Sequence, residues 1–147
     1  ADVIIAETGA DMSVFATPGH LASWGGTAPG ANESAGRVKS TKTRPGNRYL
    51  KRALGTAAMA VSRSQTTYFG AKYRRIKSRR GPMKALVAVE HSILTVVWHL
   101  LTTGEVYRDP GPDYFAKRQP ARTRARAVKQ LEELGYTVTL EPLTHTG

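Results

Sequence analysis

The sequence predicts a mainly α-helical fold, a single domain over residues 1–147 with a Gly-rich loop and minor β structure. A chain of 147 residues has the usual size of one domain. Apolar residues recur every three or four positions through most of the chain, which is the spacing of a helix face. Strict alternation, the pattern of a strand, occurs only in short stretches.

Two short helices are predicted first. The segment DVIIAETG is expected to be helical up to Gly9. The segment TPGHLASWGG carries the signals of a second helix, with Thr17 as N-cap, Pro18 in the first turn and Gly25 as the stop. Over residues 25–43 the composition turns to Gly, Ser, Thr, Pro and Asn. This change predicts a loop or an irregular hairpin, with VKSTKT as its candidate strand.

Longer helices follow. In PGNRYLKRALGTAAMAVSRS the apolar residues have helical spacing and the basic residues lie mostly off that stripe, which predicts an amphipathic helix with a basic face. In TTYFGAKYRRIKSRRG the residues Phe69, Tyr73 and Ile76 continue the pattern until Gly81 ends it. A long apolar helix is then predicted over residues 82–103.

The apolar run in this last helix is interrupted by Glu90, His91 and His99. It falls short of the roughly 20 residues that a membrane-spanning helix needs, so a buried helix of a soluble protein is expected. The two histidines would lie roughly 12 Å apart along the helix axis, too far to hold one metal ion. Because the acids of the sequence do not cluster either, no metal site is expected in this chain.

The C-terminal part begins as a Pro/Gly loop, and a helix is predicted over residues 120–134, ending at Gly135. The segment YTVTLEPL, residues 136–143, then alternates like a single strand. Because one strand cannot form a sheet alone, it is expected to pair with the hairpin segment or with another subunit.

The charge of the chain indicates a polyanionic partner. Its formal net charge is +11, and residues 34–89 contain no Asp or Glu. A solvated face normally mixes both signs, whereas this block excludes acids, which favours a polyanion-binding surface over an ordinary one. Because the basic residues are shared between a Gly-rich loop and several helices, nucleic acid is favoured over an anionic membrane surface as the partner. The candidate nucleic-acid contacts are Arg37, Lys39, Lys42, Arg44, Arg48, Lys51, Arg52, Arg74, Arg75, Arg79 and Arg80.

Ser34 has two interpretations. A serine in a Gly-rich loop is commonly a turn former whose hydroxyl bonds nearby backbone. Ser34 also precedes a run of basic residues. A serine attacks phosphorus when a base removes its proton and positive charge stabilises the phosphoryl oxygens. The basic residues meet the second requirement, and the first needs Glu33, a metal or another domain.

The chain resembles the C-terminal domain of the insertion-sequence transposases of family one-ten, the DEDD-type enzymes known as bridge-RNA-guided recombinases. The matching segments, in order, are AETGADMSVF, HLASWGGTAPG, NESAGRVKSTKTRPGNRYLKRAL, YRRIKSRRGPMKALVAVEHSIL and YFAKR. They cover nearly the whole chain, and their order and spacing make the resemblance specific.

The resemblance implies a catalytic role for Ser34 in the Gly-rich loop. Glu33, Ser34 and Ala35 occupy the family's E-S-G segment, with Ala35 where many relatives have Gly. Ser34 would therefore attack the scissile phosphate and become joined to the DNA. Asn47, in the family's G-N pair, joins the candidate nucleic-acid contacts. The family positions after the serine are matched by Lys42, Gly46, Asn47, Leu50 and Leu54.

The resemblance also implies that the chain is a fragment without the N-terminal RuvC-like domain of the family. That domain would hold Mg²⁺ in an Asp-Glu-Asp-Asp cluster and complete the site across subunits, so no cofactor is expected in this chain and the full-length protein is expected to be a homo-oligomer. DNA and a guide RNA are the expected partners. The absence of cysteine and of a signal-peptide pattern fits a bacterial cytoplasm. A purely binding module, with Ser34 as a turn residue, is the competing interpretation.

Overall fold

The helices of seven or more residues lie where the sequence predicts them. The computed structural model describes residues 2–28, 32–34, 37–40, 42–43 and 45–143, with the backbone alone in 32–34 and 37–40. A mainly helical fold with minor β structure is confirmed. The elements are α1 (Asp2–Thr8), a 3₁₀ helix (Met12–Val14), α2 (Pro18–Trp24), β1 (Asn32–Ser34), β2 (Arg37–Ser40), α3 (Arg48–Ser62), α4 (Tyr68–Arg80), α5 (Pro82–Thr103), α6 (Tyr114–Arg118) and α7 (Pro120–Glu133).

The contacts within the chain divide it into two compact units, Ala1–Pro112 and Asp113–Gly147. Each unit is described by itself. The single domain expected over residues 1–147 stays a prediction.

Threonine side chains cap the N-termini of α2 and α4. Thr17 caps α2 by accepting a hydrogen bond from the His20 N–H, as predicted. Thr67 caps α4 in the same way, accepting from the Gly70 N–H. Gly81 then separates α4 from α5 with a φ of 84°, a left-handed conformation that strains any residue with a side chain. The predicted stop at Gly81 is therefore confirmed.

The core of the first unit is built around α5, against which α2, α3 and α4 pack. Leu21 of α2, Leu50 and Leu54 of α3 and Leu94 of α5 are fully buried. Burying a leucine side chain contributes about 2 kcal/mol, so these contacts anchor α2, α3 and α5 to each other. By length and composition alone α5 could also cross a membrane. In this structure its buried positions form the contacts that hold the first unit together.

A two-stranded antiparallel hairpin joins α2 to α3. Strands β1 and β2 pair with Ser34 opposite Arg37, and the register shifts between Asn32 and Glu33. The irregular hairpin expected in this region is confirmed. The predicted Gly-rich loop falls in part on residues 29–31, 35–36, 41 and 44, outside the described residues.

The base of this hairpin is a close contact between two stretches of backbone. A Cβ added to Gly46 would lie 2.5 Å from the Gly25 carbonyl carbon and from the Gly26 nitrogen. Real side-chain atoms do not approach backbone so closely, so only glycine fits at this position. The turn that ends α2 and the residue that precedes the α3 cap are thereby held together at the two ends of the hairpin segment.

In the second unit, α7 follows the short α6, which the sequence did not reveal. The strand expected over residues 136–143 is wrong, because this segment has no regular secondary structure. Tyr136, Leu140 and Leu143 are exposed. A strand is stabilised by a ladder of hydrogen bonds to a neighbour, and the described residues of this unit contain no other strand.

Candidate nucleic-acid interface

Ser34 is the last residue of β1, and its cross-strand partner in the backbone register is Arg37. The two residues between them, Ala35 and Gly36, lie outside the described residues. Lys39 follows on β2, whose side chains are not described. Arg44 lies outside the described residues as well. The backbone thus brings Ser34 next to the first basic residue of the run that follows it.

Lys42, which follows the hairpin in the sequence, lines a cavity of about 840 Å³ in the first unit. The walls of this cavity, here called the α4–α5 cavity, come from α4, α5 and the residues at the base of the hairpin. None of its described lining residues is Asp or Glu. The lining residues are Thr27, Lys42, Thr43, Lys72, Ile76, Arg80, Met83, Lys84, Val87, Ala88, His91 and Ser92.

A chain of hydrogen bonds fixes Lys72 in the wall of the cavity. Lys72 Nζ donates to Ser92 Oγ, and Ser92 Oγ donates to the Ala88 carbonyl oxygen over 2.8 Å. Burial lowers the pKa of the Lys72 ammonium, and the neighbouring positive charge of Arg75 lowers it further. A cationic group is therefore held at a defined place, partly removed from water.

His91 lies on the same side of α5 as Ser92 and lines the same cavity. Burial lowers the pKa of its imidazole, and the positive charge of Lys72 adds to this effect. A hydrogen bond with the backbone of Thr27 opposes both. The buried Thr27 in turn donates from its hydroxyl to the Ala22 carbonyl oxygen over 3.1 Å, which links the cavity wall to the end of α2.

Two of the predicted nucleic-acid contacts, Asn47 and Arg74, make hydrogen bonds within the protein. The Asn47 carboxamide caps α3 by accepting from the Tyr49 and Leu50 N–H groups, and its nitrogen donates to Glu7 Oε2. Arg74 Nη1 donates to the Ser64 carbonyl oxygen over 2.7 Å and holds the turn that precedes α4. Both side chains have structural roles, and their nucleic-acid contacts stay predictions.

The other predicted basic contacts lie on α3 and α4. The Arg48 guanidinium lies 4.9 Å from the centre of the Tyr49 ring. Lys51 is half-buried beside Glu90, whose carboxyl pKa is raised by burial and held down in part by Lys51. Arg80 lines the α4–α5 cavity. The exposed residues Arg52, Arg75 and Arg79 complete this set.

Lys72, Lys84 and His91 were not predicted to belong to one site. The signal was present, because Lys72, Ile76 and Arg80 recur at four-residue steps on α4. Such a stripe predicts a shared face, but it does not say which helix packs beside that face. Among the described residues no group of three or more His, Cys, Asp or Glu is placed to hold a metal ion.

Comparison of the sequence with known protein families identifies one match. The sequence pattern of the family described as Transposase IS116/IS110/IS902 matches residues 1–74, half of the 147-residue chain. No curated protein and no solved structure matches the chain significantly. The matched residues include the Ser34 hairpin, formed by β1 and β2, and four residues that line the cavity, Thr27, Lys42, Thr43 and Lys72. DNA transposition is the general function of the family, and DNA is its partner. The chain belongs to the transposases of the IS116/IS110/IS902 family.

Proposed function

We propose that this chain is the part of a DNA recombinase that supplies the nucleophile, and that the nucleophile is Ser34. The family match over residues 1–74 carries the proposal, because it includes Ser34 within the segment that resembles the family's E-S-G motif. The backbone register supports it by making Arg37 the cross-strand neighbour of Ser34. A guanidinium beside the attacked phosphate would stabilise the charge that develops on its oxygens.

In the proposed step Ser34 Oγ forms a bond to the phosphorus of the scissile phosphodiester. The bond from phosphorus to the leaving deoxyribose oxygen breaks, that oxygen takes up a proton, and the serine proton passes to an acceptor outside this chain. The strand is then held as a phosphoserine ester until a deoxyribose hydroxyl attacks the phosphorus and releases Ser34. Bond energy is conserved, so no high-energy cofactor is consumed.

In this proposal Mg²⁺ is bound by a domain outside this chain. Hard cations are bound by clustered carboxylates, and the described residues offer no such cluster. The resemblance to the family assigns the cation to a RuvC-like domain of the full-length protein, and no step on this chain runs through it. The isolated 147-residue chain is expected to bind DNA and a structured guide RNA without cutting either.

The decisive experiment is a search for a covalent protein–DNA adduct. The full-length parent is incubated with Mg²⁺, its RNA and labelled DNA, and the products are separated on a denaturing gel. Ser34→Ala is expected to abolish the adduct and strand exchange while DNA affinity is retained. Ser40→Ala, at the other end of the same hairpin, is the matched control and should leave the adduct unchanged.

A binding module without covalent chemistry is the competing function, and the α4–α5 cavity with its basic lining favours nucleic-acid binding under either hypothesis. A recombining parent that forms no adduct, or forms one that persists in Ser34→Ala, would remove Ser34 from the chemistry. Ser34 would then be the turn residue of a basic binding domain.

A further inference from the structure

The α4–α5 cavity combines two features that an ordinary basic surface lacks. Its walls carry the cationic side chains of Lys42, Lys72, Arg80 and Lys84, and its described lining contains no acid. Holding the Lys72 ammonium half-buried costs solvation free energy, which a bound anion would offset. The electrostatics of the cavity are therefore complementary to a phosphate group.

The second feature is an apolar surface directly beside these charges. Ile76, Met83, Val87 and Ala88 line the same cavity, and the side chain of Met83 is 72% exposed. An inorganic anion gains nothing from an apolar wall, whereas the flat face of a nucleobase does. The volume of about 840 Å³ is within the range of small-molecule sites and accommodates a whole nucleotide.

We propose that the α4–α5 cavity binds one unstacked nucleotide of a single-stranded nucleic acid. Its phosphate lies against Lys72, Arg80 and Lys84, and its base lies on the apolar side chains of Ile76, Met83 and Val87. A single strand is the favoured form, because a base enters a pocket only after leaving its stack and this costs least when the base is already unpaired. This inference rests on the proposed function in one respect, that the chain binds nucleic acid.

Two adjacent arginines provide the first test. Arg79 and Arg80 both lie exposed in the last turn of α4, and of the two only Arg80 lines the cavity. Arg79→Ala and Arg80→Ala remove the same charge from nearly the same place. Fluorescence anisotropy with a labelled single-stranded oligonucleotide should show an affinity loss for Arg80→Ala that is at least about three times that for Arg79→Ala.

The apolar side of the cavity provides the second test. Met83→Ala is compared with Met59→Ala, an exposed methionine of α3 that does not line the cavity. Each variant is titrated with an oligonucleotide and with the same backbone carrying abasic sites. Met83→Ala should weaken binding of the intact strand about fivefold and leave the abasic strand unaffected, because stacking on the base is what it loses.

These experiments distinguish a failure of the nucleotide pocket from a failure of the proposed nucleic-acid-binding function. Equal losses for Arg79→Ala and Arg80→Ala, or an unmodified chain that binds intact and abasic strands equally, would overturn the nucleotide pocket while leaving nucleic-acid binding in place. An unmodified chain that binds neither single-stranded nor duplex oligonucleotides would overturn the proposed function as well. Circular dichroism of every variant confirms that each affinity is measured on folded protein.

Discussion

The side-chain amide of Asn47 donates a hydrogen bond of 2.6 Å to Glu7 Oε2, while its oxygen caps α3. This one residue therefore ties α1 to the start of α3 directly after the Ser34 hairpin. The G-N pair that resembles a family motif thus has a structural explanation in this chain. Gly46 permits the close backbone contact, and Asn47 stabilises the start of α3.

Asn47→Ala tests this role. The substitution removes the acceptor for two backbone N–H groups and the donor to Glu7, so the free energy of unfolding should fall by about 1–2 kcal/mol. Urea denaturation measures the change. Glu7→Ala is the matched control, because it removes the bond to α1 but keeps the cap, and its loss should be smaller. An Asn47→Ala chain of unchanged stability but weakened DNA binding would instead make Asn47 a nucleic-acid contact.

Gly46→Ala should destabilise the first unit by about 1–3 kcal/mol, because the added methyl group meets the Gly25 and Gly26 backbone at 2.5 Å. Thermal unfolding followed by circular dichroism measures the loss. Gly19→Ala is the control, since its added Cβ would meet only the Thr17 hydroxyl at 3.6 Å and alanine favours the helix. If both substitutions are neutral, the base of the hairpin is looser than this contact requires.

The charge state of His91 makes the stability of the first unit depend on pH. Burial and then Lys72 lower the pKa of His91 below the ordinary value of 6.5. As pH falls below 6.5 the unfolded chain takes up the proton first, so this contribution to stability declines until the lower, folded-state pKa has been passed. NMR titration of the imidazole measures the pKa directly.

Lys72→Gln separates the two causes. The substitution removes the positive charge and retains a donor for Ser92, so the pKa of His91 should rise only part of the way, because burial remains. A His91 pKa at or above 6.5 in the unmodified chain would contradict the described environment of the cavity.

Asp109 ties the segment after α5 to the beginning of α4. Its Oδ1 accepts from the Tyr68 N–H at 2.9 Å and from the Gly111 N–H at 2.7 Å, and its Oδ2 accepts from the Tyr107 hydroxyl. Burial, and then Asp109, raise the pKa of Tyr107 to about 12. Asp109→Ala should lower this pKa and cost about 1–2 kcal/mol of stability.

An ultraviolet titration checks this prediction. Tyr107→Phe identifies the signal of Tyr107 among the tyrosines. In the unmodified chain the unfolded state ionises first above the ordinary pKa of 10.0, so stability should decline as pH rises from there towards 12. A Tyr107 that titrates near 10 in both the unmodified chain and Asp109→Ala would show that the contact with Asp109 does not form.

Local patterns predicted the helices of this chain well. Thr17 and Gly81 marked helix ends because capping and positive φ depend on the residue itself and its immediate neighbours. The prediction of a strand over residues 136–143 was wrong because a strand, unlike a helix cap, depends on residues elsewhere in the chain. Alternation describes one strand, while the existence of a strand depends on a neighbour that the pattern does not supply.

The candidate site was only partly predictable, because its features join residues that are distant in the sequence. The bond between Asn47 and Glu7 spans 40 residues, and the α4–α5 cavity brings Lys42 together with side chains of two later helices. The positive charge of the chain correctly indicated nucleic acid as the partner, since the partner of the family is DNA. It could not distinguish Arg74, which serves a turn, from Arg80, which faces the cavity.

The contact of Gly46 with Gly25 and Gly26 has a consequence for how such an enzyme can change over time. Because the two ends of the intervening segment are already held together, lengthening that segment adds only about 0.6 kcal/mol of closure entropy for each doubling. Insertions there would lengthen the segment that carries Ser34 without disturbing the helices on either side. Under the proposed role of Ser34, the length of this segment can therefore adapt to a new DNA geometry independently of the residues that make the helices fold.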